Sequence, residues 1–467
     1  LPSFIRSLPS RIPEDDLNYL RMKGSLKIPD KLLRRELLRC FIQFVYGYLP
    51  LVRLSDLLRI AEGDDISPEP ISLLMFQSIM FAAAAFIDLK YLEQAGFQNR
   101  KDARETFFER AKLLYDFDCE PNQISCMQAL LLMTYWNDTP DKEKDTWHWM
   151  SMSLSLAGTL GLRRNPEELN HITTEEQRLR KRLWWSCFMR DQLIALGMRR
   201  PTRIKTEDFD VPMLTLEDFE MPLQTAAIAR ALGPCSFLQS SRHMAQISRL
   251  CIEKAKLCLL VGRVLDTQYS PRHLVNGQLA RLVPKTDVTE TCEILQCDQE
   301  LQRWIDQVPD DVRYPNHATV SAGSAELVTF VHRALLKMIY LAISITLHRP
   351  QLVPTSPQTI APGTQYLARS RVVDAAAEVI NVANDLHEQN LSRFLPTSGV
   401  TALVPAIAIH LLYLKSSKGT TREASLRRFK QGMHVLKRLR EMYISAEVAN
   451  EFLDAAVQKA QIPMLDP

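Results

Sequence analysis

Two neighbouring stretches carry most of the information in this chain: TWHWMSMSLSLAGTLGLRRNP at 146–166 and EEQRLRKRLWWSCFMRDQLIALGMRRPTRIKTEDFDVPMLTLEDF at 175–219. Ahead of the second stands Thr173, three residues before Glu176. At that spacing a hydroxyl and a carboxylate can satisfy the first free N–H groups of a helix. Glu176 and Arg180 add an i,i+4 ion pair. The pattern predicts a helix over 175–198 that Pro201 stops. The first stretch is apolar on nearly every side, which predicts a helix over 146–162, buried all round and ended at Gly161.

Working outward, the same 3.6-residue period recurs. A helix is expected over 30–48, with Leu33, Leu37, Cys40, Phe41 and Phe44 on one face. Others follow at 73–92, 102–115, 122–136, 226–260, 290–308 and 326–347. In the tail, Leu426, Phe429, Met433, Leu436 and Tyr443 mark an amphipathic helix with a basic outer face. Loops are expected at 137–145 and, longest, at 350–364. The chain has 26 prolines against 15 glycines, and the prolines cluster between the periodic runs, as helix ends require. With no alternating strand pattern, no convincing Asn-Gly hairpin and no fixed repeat, the expected fold is all-α, a large multi-helix body with helical-hairpin or solenoid-like packing.

Composition narrows the function class. Hydrophobic residues at 46% and charged residues at 24% exclude a disordered, collagen-like or disulfide-scaffold chain. None of the nine cysteines forms a C-x-x-C pair, and the spacings of Cys292 to Cys297, Cys251 to Cys258 and Cys119 to Cys126 do not suit tetrahedral zinc. They read as buried free thiols in a reducing compartment. A net charge of +3 gives no global field toward nucleic acid or an anionic membrane. Residues 1–16 lack a secretory pattern and an initiator Met, so the start is expected to be internal to a longer protein. The apolar runs 124–136 and 335–347 are about 13 residues long, short of the roughly 20 that span a bilayer, and read as core helices with no membrane partner. The longer run 71–87 is interrupted by Gln77 and Ser78 and bracketed by Glu69 and Asp88.

Catalytic signatures are missing. There is no G-x-S-x-G elbow, no phosphate loop and no G-x-G-x-x-G. His387-Glu388 lacks the second metalloprotease histidine, and Asp15-Asp16, Asp64-Asp65 and Asp310-Asp311 each lack a third carboxylate at the spacing of a Mg²⁺-binding pair. No catalytic and no metal-ligating residue is therefore assigned.

The information-rich stretch has its own electrostatics. Residues 178–203 hold eight bases and one acid, and residues 207–220 hold six acids and no base. Either the acidic segment clamps back onto the basic helix, or the basic strip meets phosphates. Interleaving with Leu183, Trp184, Trp185 and Phe188, which a helix would bury, favours the clamp. Trp184 and Trp185 point about 100° apart and are expected to wedge between several helices. Asp191 is expected to bond a nearby Arg or a backbone donor. Trp147, Trp149, Met150 and Met152 either line an apolar ligand cavity or fill a core. Residues 415–440, with nine bases and one acid, read as a solvated face or a partner surface.

These motifs resemble the middle homology region of fungal zinc-cluster transcription factors. The resemblance is carried by Leu160, Gly161, Leu162, Arg163 and Arg164, by Arg182, Trp184, Trp185 and Asp191, by Arg200 and Pro201, by Asp208 through Val211, and by the distal Leu347, His348, Arg349 and Pro350. It touches most of 107–350 and is most similar to the cutinase-factor and fatty-acid-response branch. Met198 departs from the pattern by separating Gly197 from Arg199-Arg200-Pro201. The resemblance implies one nuclear regulatory domain over 1–467, with room for two helical lobes split near 221–290. It implies promoter DNA contact only through a six-cysteine zinc cluster absent from this chain, and no cofactor in the chain itself. It further implies transcriptional co-regulators as partners and room for a homodimer. If the effector is a fatty acid, its carboxylate needs a cation such as Arg190, Arg200 or Arg349. The competing reading is a constitutive scaffold or dimerisation module without a small ligand.

Overall fold

The computed structural model describes residues 1–62, 70–136, 144–220, 232, 240–272, 281–285, 291–315, 324–352 and 362–461. The fold is predominantly all-α, as expected. The helices run α1 Glu14–Met22, α2 Lys31–Cys40, α3 Leu54–Glu62, α4 Leu73–Ala83, α5 Leu89–Gln94, α6 Arg100–Asp116, α7 Gln123–Met133, α8 Thr146–Thr159 and α9 Thr174–Met198. They continue as α10 Ser241–Gln268, α11 Thr291–Gln307, α12 Ser324–His348, α13 Pro362–Glu388, α14 Thr397–Ser416, α15 Gly419–Leu439 and α16 Ile444–Lys459. A small antiparallel hairpin, β1 Tyr269–Arg272 and β2 Arg281–Pro284, interrupts them.

Side-chain caps set many of the starts. Asp30 accepts the N–H groups of Leu32 and Leu33 at 2.8 and 3.0 Å, and Ser72, Asn99, Asn122 and Asp145 cap α4, α6, α7 and α8 in the same manner. The chain divides into two compact units that interleave along the sequence. Unit 1 takes Leu1–Arg190, Thr206–Ile252 and Val320–Thr329, and unit 2 takes Asp191–Lys205, Glu253–Thr319 and Phe330–Pro467.

In unit 1, every residue of α4 is buried, and α4 packs on α6 and α7. Its Phe81 meets Phe108 at 5.4 Å, and Phe108 stacks on Trp136 at 5.0 Å. The polar Gln77 is tolerated there because its amide donates to the carbonyls of Ser25 and Lys27 at 3.2 and 2.8 Å. In unit 2, α13, α14 and α15 pack on one another. A Cβ on Gly432 of α15 would lie 2.6 Å from Ile407 and 2.7 Å from Ile380, so this close approach requires glycine.

Several expectations are corrected. The helix expected at 30–48 is regular only to Cys40 and continues as a π-helical turn, Phe41–Tyr46. The helix expected at 73–92 is broken, with Asp88 capping a separate α5. Helix α8 is not buried all round: Thr146, Trp149, Met150, Ser153 and Ala157 form one buried face. On the rest of the helix, Ser151 and Thr159 satisfy their hydroxyls on the carbonyls of Trp147 and Ser155. Helices α1, α3, α13, α14 and α16 and the β-hairpin were not anticipated, and Tyr443, expected in the tail helix, lies beyond α15 and precedes α16. The run 335–347 belongs to α12, Ser324–His348, close to the helix expected over 326–347. Among the described residues two segments, Ala325–Leu352 and Thr397–Ser416, are long and apolar enough to cross a membrane by length and composition, and 83% and 56% of their apolar windows lie inside the protein. Most of the expected loops at 137–145 and 350–364 lies outside the described residues, as do Asp64-Asp65 and most of 226–240.

Candidate functional site

Helix α9 carries the central motif. Its start follows the sequence: the Glu176 N–H donates to the Thr173 hydroxyl at 3.2 Å, and Arg180 pairs with Glu176 at 3.3 Å. Just beyond, the charges go inside. Lys181 and Arg182 are buried, 4% and 2% exposed, which long cations tolerate only when paired. Lys181 meets Asp218 at 3.0 Å and Glu167 at 3.3 Å. Arg182 meets Glu220 at 3.1 Å and donates to the carbonyls of Asp218 at 2.5 Å and Pro50 at 3.4 Å. The acidic segment therefore folds back on the basic helix within unit 1, so these two cations are not offered to phosphates.

Phe209, between Asp208 and Asp210, anchors the same fold-back. Adjacent tryptophans point apart, yet both reach this one ring: Trp184 lies 5.2 Å and Trp185 5.7 Å from it, with Phe188 at 5.5 Å. Trp185 also donates its indole N–H to the Pro212 carbonyl at 2.7 Å. The Leu160-Gly161-Leu162 turn completes the arrangement. Gly161 takes a φ of +65°, and the Leu162 N–H reaches back to the Ala157 carbonyl at 3.0 Å, closing α8 with a left-handed cap. Asp210 accepts from the Asn165 N–H at 2.7 Å and meets Arg164 at 3.4 Å. Asp208 itself is exposed at the end of a short 3₁₀ turn, Thr206–Asp208.

Asp191 is fully buried in unit 2 and accepts two backbone N–H groups on one oxygen, from Arg203 at 2.9 Å and Ile204 at 3.1 Å. Burial pushes its pKa up to about 6, against the opposing pull of those hydrogen bonds and of Arg203 and Lys205. It thereby holds the Arg200-Pro201 segment, which leaves the helix through a left-handed Arg199, φ +52°, with the Arg200 N–H on the Ala195 carbonyl at 3.1 Å. The helix thus stops three residues before Pro201.

The distal motif lies in the same unit. Leu347 and His348 are buried, with His348 Nε2 2.9 Å from Asp298, which also binds Arg371 at 3.0 Å. The Leu347 carbonyl accepts from Gln268 at 2.7 Å. Arg349, half-buried beside Pro350, donates to the Tyr269 hydroxyl at 3.0 Å.

The ligand candidates fall into two groups. Trp149 and Met150 are fully buried and Trp147 and Met152 half-buried, all in unit 1. Trp149 is set edge-on to Phe108 and Tyr115, each at 5.9 Å. Arg190 is engaged inside unit 1, donating to the Thr134 hydroxyl and carbonyl at 2.7 and 2.8 Å with its guanidinium 4.3 Å over Tyr135. Arg200 and Arg349 belong to unit 2. Among the described residues no three His, Cys, Asp or Glu side chains are grouped to hold a metal ion, and eight free cysteines are present. Phe209 and Asp210 stand in the motif Asp208 through Val211, whose sequence gives them no individual role, and nothing in the sequence singles out Arg199.

Comparison with known proteins shows the family. The profile of the fungal specific transcription factor domain matches residues 38–306. Cutinase transcription factor 1 beta of Fusarium vanettenii is 42% identical over 99% of this chain and 53% of its own length. The transcription factor cpaR of Aspergillus oryzae is 31% identical over 97% of this chain and 76% of its own. An acetamidase regulatory protein of Aspergillus oryzae is 25% identical over 91% and 48%. The chain spans about half the length of the first and third of these relatives. With the profile covering more than half of its residues, this chain belongs to the fungal specific transcription factor domain family.

Proposed function

We propose that the chain is the effector-responsive regulatory domain of a nuclear fungal transcription factor that controls genes of lipid, cutin or fatty-acid metabolism. The observation that carries the reading is the 42% identity to a cutinase transcription factor along almost the whole chain. The structure supports the division of labour. The buried Lys181 and Arg182 of α9 are consumed by Asp218 and Glu220, so these two cations of the motif serve folding, and this reading leaves promoter recognition to a zinc cluster outside this chain. Regulation follows as a population shift, in which an apolar effector such as a fatty acid, or a co-regulator, binds one helical arrangement better than another. The proposal treats 1–467 as one regulatory domain and gives it no catalytic role; turnover of an acyl substrate by the purified chain would overturn that.

Thermal melts with increasing long-chain fatty acid test the reading. A Tm that climbs with ligand concentration supports it, since only a ligand of the folded state stabilises by mass action. The scaffold reading is favoured by a different observation: Leu412 on α14 and Val448 and Phe452 on α16 are 53%, 47% and 67% exposed. An unchanged Tm together with stable self-association would favour that scaffold.

A further inference from the structure

Unit 2 contains a group of arginines, Arg199, Arg272, Arg281 and Arg349, whose gathering near one hairpin the fold does not require. Strands β1 and β2 place Arg272 directly opposite Arg281, an arrangement that costs stability because like charges face each other across a strand pair. The Leu282 N–H donates to the Arg199 carbonyl at 2.7 Å, which sets Arg199 beside the same hairpin. Arg349 reaches the group from the end of α12, its guanidinium 5.8 Å from the Tyr269 ring and 3.0 Å from its hydroxyl. That hydroxyl is in turn fixed on the Thr346 carbonyl at 2.8 Å.

Among the described residues no acid balances these charges: Arg199, Arg272, Arg281 and Arg349 form no ion pair there. The carboxylate nearest in sequence to the hairpin's first strand, Asp266, is held by Lys205 at 2.6 Å. Arg199 as a whole residue is exposed, yet its guanidinium sits in a crowded setting, and its pKa is lowered first by that desolvation and then by Arg349 and Arg281. Arg199 also adopts a left-handed backbone, φ +52°, at a position where glycine is the usual residue. Among the described residues, repulsion and backbone strain stand here without compensation, which marks a place built for something else.

We propose that Arg199, Arg281 and Arg349, the last oriented by the Tyr269 hydroxyl, form a binding site for the phosphate or diphosphate group of a small organic ligand. A single carboxylate matches one bidentate guanidinium, whereas a phosphoryl group offers more oxygens and charge than one arginine can satisfy. Arg349 is half-buried and tied to Tyr269, so the cluster reaches below the surface, which favours a small anion over a duplex backbone. The inference goes beyond the lipid reading, because the head group alone is the probe.

Isothermal titration of the full chain with inorganic diphosphate, coenzyme A and palmitate tests it. Saturable binding of diphosphate is expected, weakened about tenfold in Arg281→Gln and in Arg349→Gln and unchanged in Arg427→Gln, an exposed arginine on α15. Tighter binding of coenzyme A than of diphosphate would identify a nucleotide-bearing source and equal binding a free phosphate, both within the proposal. A second readout guards against misfolding: without ligand, Arg281→Gln should melt no lower than wild type, since it removes a repulsion, while the diphosphate-induced rise in Tm shrinks. No saturable diphosphate binding, binding of palmitate or duplex DNA only, or variants that bind as wild type would overturn the proposal.

Discussion

Replacing Asp191 by asparagine isolates the cost of one buried charge. Its carboxylate is fully buried, and burial raises its pKa from 3.8 to about 6. A raised acid pKa means that the folded chain holds the proton where the unfolded chain has lost it. Stability therefore falls as pH rises from about 4 to about 6, and the whole penalty stands above that window. At 1.36 kcal/mol per pKa unit the penalty is about 3 kcal/mol, of which about 1 kcal/mol appears between pH 5 and pH 7.5. The amide in Asp191→Asn carries no charge, and its carbonyl can still accept the N–H groups of Arg203 and Ile204, so any remaining offset is independent of pH. Urea unfolding of both proteins near pH 5 and near pH 7.5 measures the difference. The variant should gain about 1 kcal/mol on wild type between the two conditions. A difference that does not change with pH, or that changes in wild type's favour, would refute a buried carboxylate ionised at a cost.

Other substitutions test the rest of the site. Arg182→Leu should cost about 3–5 kcal/mol in urea unfolding, because it leaves Glu220 and two buried carbonyls without their cation; a loss below about 1 kcal/mol would make the fold-back incidental. Phe209→Ala should cost about 2–3 kcal/mol, less than for a fully buried phenylalanine because the ring is half-buried, and should red-shift tryptophan emission as Trp184 and Trp185 gain water. Gly161→Ala should cost about 1 kcal/mol from backbone strain alone, since a Cβ there meets nothing within 4 Å. Gly432→Ala should cost about 1–3 kcal/mol, because its Cβ would collide with Ile407 and Ile380; equal effects for the two glycines would contradict this distinction.

The all-α class was legible because the helical period and the placing of prolines act locally. So was the start of α9, where Thr173 and Glu176 lie one turn apart. Legibility failed where long-range packing decides. Helix α8 reads as apolar on every side, and only its neighbours select the face through Trp149, Met150 and Ser153. Helix α1 buries only Leu20 and so offers no apolar stripe to find. Charge counting anticipated the pairing of the acidic segment with α9, yet the partner choices, Lys181 with Asp218 and Arg182 with Glu220, and the ring of Phe209 between two tryptophans needed coordinates. The arginine group of unit 2 was invisible for the same reason. Arg199, Arg281 and Arg349 are far apart in sequence and meet only through the hairpin and the end of α12.

The regulatory reading is tested most directly by joining this chain to an unrelated DNA-binding module and measuring reporter output in cells with and without added long-chain fatty acid. The expected result is an output that changes with the fatty acid while promoter choice follows the attached module. Constant output at every fatty-acid concentration, or activation of a promoter that the attached module does not recognise, would contradict it.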